Sequence, residues 1–328
     1  MSWVELSCDI TQEAIDWVRT LLASTGCSED VQVSQYVALG TELGIDTPPS
    51  QWQFTIRIYT PYDNQARSRI DEIEHLLQPL HRTGLATELQ VVVVDEKSNA
   101  IAPIHLSPQR IGGHFIVLAS DAIYSGQSSP ESPNSNEVVL RLPDSLAFGS
   151  GFHPTTSLCL RLIEDVLQPQ MKALDLGSGS GILSVAMAKM GATVLALDND
   201  GMAVQATQQA VALNQVSQQV VVQAGSLGRG SEFGHWMGGV RSPEISAIEI
   251  TEQFDLVVAN IPAHIQIELA PDFRTCLHPA KPAGLLITSG FTRDREEDVQ
   301  TALAQVGFEP IRCQREQEWV AWMHRLVA

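Results

Sequence analysis

Apolar positions along the chain change period repeatedly, and the changes divide it into two kinds of territory. Residues 3–8 alternate apolar and polar, as a half-buried strand does. Residues 11–22 place Ala14, Ile15, Val18, Leu21 and Leu22 at helical spacing. The pattern then predicts a strand over 31–39, a loop over 40–50, and a strand over 51–59 that exits at Pro61-Tyr62-Asp63. A helix is predicted over 64–81, with Ile70, Ile73, Leu76, Leu77 and Leu80 on one face, and a strand over 89–94 closes the set. The order β-α-β-β-α-β is that of a ferredoxin-like module. It carries no catalytic cluster of its own and reads as a scaffold or a partner-recognition domain.

Organisation weakens over 95–136. The stretch 101–113 is mixed, 114–118 could be one more strand, and 125–136 is a polar Ser/Pro-rich run with little to bury, as in a linker. From 138 onward short apolar runs alternate with helical patterns. Strands are predicted at 138–142, 173–176, 193–197, 219–223, 254–259 and 285–289, with helices at 157–166, 182–190, 201–214, 264–277 and 293–306 between them. A Gly-rich insertion occupies 228–242, and two short segments, 309–313 and 319–325, follow. Such alternation implies a parallel sheet. The expected domains are therefore 1–95, a connector over 96–137, and 138–328.

Composition narrows the class. With 328 residues, 44% hydrophobic and 18% charged, the chain can bury a real core in two domains. Its net charge of −18 argues against nonspecific binding to a phosphate backbone and suits a basic partner. Five scattered cysteines without a C-x-x-C pair suggest neither a disulfide framework nor a zinc site. The acidic opening Met1-Ser2-Trp3-Val4-Glu5 lacks the basic start of a signal peptide, and no apolar run reaches membrane-spanning length. A cytoplasmic protein is expected, with no metal, no membrane and no direct nucleic-acid partner.

The candidate chemistry starts at Asp175-Leu176-Gly177-Ser178-Gly179-Ser180-Gly181, where a buried strand turns through a glycine loop into a helix. Glycine is needed where φ turns positive or where a ligand must approach the backbone. The dinucleotide fingerprint G-x-G-x-x-G fails, because Ile182 stands at its third glycine. The spacing D-x-G-x-G-x-G resembles the first motif of Rossmann-like S-adenosylmethionine methyltransferases, although a plain tight turn is the simpler alternative. Asp198 closes the next strand, where a carboxylate can take both hydroxyls of a ribose. Asn260 closes the fourth strand in Val257-Val258-Ala259-Asn260-Ile261-Pro262, and is either a ligand contact or a helix cap. Asp175, Asp198 and Asn260 should converge at the carboxyl ends of neighbouring strands. Upstream, Thr155 and Thr156 are placed to start and cap a helix, with His153 beside Pro154.

The run 147–156, Ala-Phe-Gly-Ser-Gly-Phe-His-Pro-Thr-Thr, closely resembles the A-F-G-[ST]-G-x-H-P-T-T signature of the ribosomal large-subunit protein eleven methyltransferases, the PrmA family. The glycine loop, Val258-Ala259-Asn260, Ser289-Gly290 and Glu318-Trp319-Val320 fall in that family's order. The resemblance implies a Rossmann-like seven-stranded class I methyltransferase domain ending in a hairpin, preceded by the small ferredoxin-like α+β domain. It implies S-adenosyl-L-methionine as cofactor, held by Thr156, Gly177, Asp198 and Asn260, and the loop motif adds Asp175 and Gly179 as candidate cofactor-binding residues. It also implies a basic ribosomal protein as substrate, trimethylated on lysine side chains and at its N-terminus, with recognition by the front domain. The chain departs from the family at Pro262, in a connector without tryptophan over 95–120, and in the 228–242 insertion. Those departures bear on the substrate: another protein, a small-molecule amine, or a cofactor-binding assembly role would use the same pocket.

Overall fold

The computed structural model describes residues 2–11, 14–23, 31–36, 52–97, 108–119, 137–142, 153–228, 248, 253–279 and 284–327. The readings made over 40–50, 125–136, the signature residues 147–152 and most of the 228–242 insertion lie outside them. The chain forms two compact units, Met1–His105 and Leu106–Ala328.

The front unit runs β1 (Trp3–Ile10), α1 (Ala14–Ala23), β2 (Val31–Gln35), β3 (Phe54–Pro61), α2 (Ala66–Arg82) and β4 (Gln90–Val94). Its sheet has the order β2-β3-β1-β4 with every neighbour antiparallel, which is the ferredoxin-like arrangement. The strict alternation of β1 buries Val4, Leu6, Cys8 and Ile10 on one face. Ile73, Leu77 and Leu80 of α2 and Ile15, Val18 and Leu22 of α1 complete that core, whereas Ile70 and Leu76 stay half-buried.

The second unit begins with β5 (Gln109–Ile111), β6 (Phe115–Ala119) and β7 (Val138–Leu142), a small three-stranded sheet. So the stretch read as connector carries two strands. Hydrogen bonds tie this sheet to the rest of the unit, Lys189 Nζ donating to Val139 O at 2.6 Å among them. The Glu164 carboxylate accepts from Gly113 N, and the Asn214 amide bonds both main-chain groups of Arg141, at 2.9 and 2.6 Å.

The large sheet follows. Its elements are α3 (Pro154–Val166), β8 (Lys172–Leu176), α4 (Ile182–Lys189), β9 (Thr193–Asp198), α5 (Gly201–Leu213), β10 (Val220–Ala224) and β11 (Leu256–Asn260). Then come α6 (Ala263–Glu268), α7 (Ala270–Cys276), β12 (Leu285–Thr292), α8 (Glu296–Gln305), β13 (Phe308–Glu316) and β14 (Trp319–Leu326). The strand order is β10-β9-β8-β11-β12-β14-β13, parallel except where β14 runs against its two neighbours. That is the seven-stranded class I methyltransferase sheet with its terminal hairpin.

Because the central strands are covered on both faces, successive residues bury into opposite cores. Ala173, Ala196 and Val258 join one apolar cluster with α3, α4 and α5, while Leu174, Leu197 and Val257 join the other with α6, α7 and α8. Two expectations change. The helix predicted over 264–277 breaks at Leu269, where Pro271 enters the first turn of α7. The strand predicted over 285–289 runs on to Thr292 through a bulge at Gly290, whose φ is +91°.

Candidate functional site

The glycine loop leaves β8 at the topological switch point, where β9 and β11 lie on either side of it. It needs glycine for steric reasons. Gly177 sits at φ +76°, and a Cβ there would run into Ile261 Cγ2. The loop's own polar groups are spent on holding its shape. Gly177 N and Ser178 N both donate to Leu197 O, at 2.8 and 3.0 Å. Ser178 Oγ meets Thr207 Oγ1 at 2.9 Å, and that hydroxyl also donates to Gly179 O at 3.0 Å.

Asp198, at the end of β9, is half-buried, and its carboxylate faces the loop. Oδ2 accepts from Gly179 N and Oδ1 from Asp200 N, both at 2.9 Å. It is not the helix cap: Asp200 caps α5 by accepting from Met202 N at 2.8 Å. A carboxylate placed there, at the carboxyl end of β9 and beside the loop, is positioned to accept from the hydroxyls of a ribose.

Asp175 lies one layer lower. In the ladders it pairs with Val258 and Ala196, so Asn260 and Asp198 sit two residues further along the same face. The sequence reading placed all three together at the rim. The structure keeps them on one face but buries the Asp175 side chain fully, with Oδ2 accepting from Ser184 Oγ at 2.5 Å. Burial pushes its carboxyl up to about 7, against a lowering by the Ser184 hydroxyl. Its Oδ1 has no hydrogen-bond partner among the described residues.

Asn260 ends β11 opposite Ser289. Its Oδ1 is buried and has no partner among the described residues, and α6 has no side-chain cap, so the capping alternative does not hold. Pro262 stands at the cap position of α6, where a missing N–H costs no hydrogen bond. Around it, Ile261 N donates to Ser289 O at 3.1 Å, and a Cβ on Gly290 would lie 2.6 Å from Ile261 O. Gln266 Nε2 clasps Ile261 O and Ser289 O, at 2.5 and 2.6 Å. The turn after Asn260 is thereby locked to the bulge in β12.

The third wall is the start of α3. The expectation that Thr155 and Thr156 cap this helix is corrected. His153 is the cap, and its Nδ1 accepts from Thr155 N at 3.3 Å and meets Thr155 Oγ1 at 2.8 Å. The ring stacks edge-on against Trp319 at 4.6 Å. Trp319 pairs with Thr292, so α3 begins at the carboxyl edge of the sheet. Burial pulls the His153 imidazole down to about 3, which keeps it neutral. Thr156 is 1% exposed, and its Oγ1 has no partner among the described residues. A cavity of about 360 Å³, lined in part by Ala263, Gly290 and Trp319, opens on the β11–β12 side.

The site therefore combines a preformed backbone loop, a carboxylate that faces it from the end of β9, and buried oxygens on Thr156, Asp175 and Asn260 that have no partner among the described residues. These features fit a nucleoside carrying an amino-acid arm, with hydroxyl and ammonium groups to donate. Among the described residues no group of three His, Cys, Asp or Glu side chains gathers as a metal site, and no helix is long and apolar enough to cross a membrane. Sequence reasoning missed Ser184, Thr207 and Gln266. Only Thr207 left a trace, as a β-branched hydroxyl inside a helix.

Comparison with known proteins agrees with this geometry. Residues 2–326 match the family described as ribosomal protein L11 methyltransferase (PrmA). The chain is 40% identical over 334 residues to the ribosomal protein L11 methyltransferase of Chloroflexus aurantiacus, covering 99% of this chain and 98% of that one. It is 36% identical to the protein of the same name from Herpetosiphon aurantiacus, covering 99% of each. A crystal structure of ribosomal protein L11 methylase from Lactobacillus delbrueckii subsp. bulgaricus superimposes with a TM-score of 0.52 at 25% identity, over 67% of this chain and 98% of that one. The chain belongs to the ribosomal protein L11 methyltransferase family, whose members depend on S-adenosyl-L-methionine.

Proposed function

We propose that the chain transfers methyl groups from S-adenosyl-L-methionine to lysine side-chain and N-terminal amino groups of ribosomal large-subunit protein eleven. The observation that carries this reading is the pair of buried acceptors, Thr156 Oγ1 and Asn260 Oδ1, left open beside a loop whose own polar groups are satisfied. When bound, the cofactor supplies an electrophilic methyl on a sulfonium. Gly177 and Gly179 would let it approach the backbone, Asp198 would take its ribose, and Thr156 and Asn260 would take its amino-acid arm. Asp175 contributes from one layer below, steadying α4 through Ser184.

The acceptor amine must arrive neutral, although a free lysine side chain has a pKa of ~10.4. Dry surroundings favour the uncharged form. The Asn260 amide has both an acceptor and donors, enough to meet an amine N–H as well as the donor's arm. His153 serves as cap and wall and leaves proton transfer to solvent, since its Nδ1 is committed to Thr155 and its charge is suppressed by burial. Positioning and desolvation then supply the catalysis. The partner expected is a basic ribosomal protein in the cytoplasm, drawn to a chain of net charge −18, with no direct contact to nucleic acid.

The test is mass spectrometry of purified protein eleven after incubation with this enzyme and the cofactor. Methyl mass on lysine and N-terminal amines is expected. Cofactor binding without any added methyl would remove protein eleven as the substrate.

A further inference from the structure

The front unit holds a groove that no step above uses. It has a volume of about 460 Å³ and opens between α2 and the start of β4. Its floor is apolar, with Cys8, Leu77 and Leu80 buried and Leu89 half-buried. Its rim carries three exposed carboxylates, Asp71 and Glu74 on α2 and Glu88 just before β4, beside His75 and His81, the latter with Nε2 3.8 Å from Glu88 Oε1.

A second, independent feature continues from the groove. Among the described residues β4 pairs with β1 alone, and so forms an edge of the sheet. Natural edge strands are protected by charge, proline or a bulge. Residues Gln90–Val94 carry none of these, in a chain of net charge −18. Val91, Val92 and Val93 are 42%, 54% and 54% exposed. The register sets Val91 opposite Leu6 and Val93 opposite Val4, so both lie on the same face of the sheet as Cys8 in the groove floor. The apolar floor therefore runs on along an open strand edge.

We propose that an extended basic segment of the protein substrate adds to the sheet alongside β4, with alternate side chains reaching the acidic rim at Asp71, Glu74 and Glu88. This rests on the functional reading above and deepens it by naming the recognition surface. Main-chain pairing to an open edge supplies affinity, and side chains at every second position supply specificity. Charge decides the occupant. A second copy of this chain would bring net charge −18 against an acidic rim, and a nucleic acid would bring phosphates, so both are repelled. A basic strand is attracted, and ribosomal proteins owe their basic surfaces to the phosphate backbone they bind.

The experiment uses the full chain, the cofactor and purified large-subunit protein eleven. One variant neutralises the rim (Asp71→Asn, Glu74→Gln, Glu88→Gln), and another blocks the edge with charge (Val92→Lys). Both should bind cofactor and melt as the wild type does, which shows that they fold. For each, KM for protein eleven is expected to rise about tenfold with kcat unchanged. The rim variant should also lose most of the wild type's rise of KM with salt. If the wild type methylates protein eleven and both variants match it in KM and salt dependence, the recognition surface is overturned and the functional reading stands. If the wild type neither binds nor methylates protein eleven, the functional reading falls, and this proposal falls with it.

Discussion

The two lips of the crevice are built on opposite plans. On the β8–β9 side the loop's N–H groups are spent inside the protein: Gly177 N and Ser178 N on Leu197 O and Gly179 N on Asp198, with Ser178 Oγ on Thr207. On the α3–β11 side two buried oxygens, Thr156 Oγ1 and Asn260 Oδ1, have no partner among the described residues. A buried unsatisfied polar group costs roughly 1–3 kcal/mol, so this second lip stores a cost that the rest of the fold offsets. The difference separates two tasks. One lip is a preformed shape that a nucleoside fits, and the other is a set of acceptors that only a ligand satisfies.

The largest predicted effect breaks the first lip. Asp198→Ala removes the ribose acceptor and also the anchor of Gly179, because the same carboxylate serves both. Cofactor affinity measured by calorimetry should fall about 100-fold, as for loss of two hydrogen bonds to a charged group. Unchanged affinity would show that the ribose lies elsewhere.

The next prediction separates the lips by kinetics. Asn260→Ala deletes an orphan acceptor and leaves the loop's hydrogen bonds intact. We expect kcat to fall about 100-fold, as for loss of one preorganised hydrogen bond at a reacting centre. Cofactor affinity should weaken much less than in Asp198→Ala. Equal losses in affinity for the two variants would mean that the crevice acts as a single unit and that the contrast between its lips is wrong.

What the sequence discloses follows the same division. Gly177, Asp198 and Asn260 were legible because each marks a place where strand periodicity stops, and such places collect at one sheet edge. The seven-stranded order was legible through the resemblance. The depth of Asp175 was not, since it depends on ladder register and is decided by which residues of β9 and β11 pair with it. The cap of α3 was misread because two adjacent threonines look like caps, whereas the extended backbone of His153, at φ −71° and ψ 133°, makes it the cap. Gln266 clasps Ile261 O, five residues back, together with Ser289 O, 23 residues on, and only the pairing of β11 with β12 brings that second group to it. The valines of β4 read as an ordinary closing strand, and their exposure comes only from the strand's place at the sheet edge.

The smallest predicted effect tests the layer beneath both lips, where Asp175 carries the third orphan oxygen. Its folded-state pKa is raised from the ordinary 3.8 to about 7, chiefly by burial. Between those values the folded chain keeps a proton that the unfolded chain releases. Stability from this group is therefore fully present below pH 3.8 and is lost as pH rises through about 7, by up to about 4 kcal/mol. Asp175→Asn cannot titrate, yet its amide oxygen can still accept from Ser184. In urea melts the variant should gain on the wild type as pH rises from 5 to 8, by ~1–3 kcal/mol across that range. Its cofactor affinity should change less than that of Asp198→Ala, since Asp175 acts from below the rim. Parallel stability curves for the two proteins would mean that the buried carboxylate keeps an ordinary pKa in the folded chain and is already ionised at pH 5, against its burial.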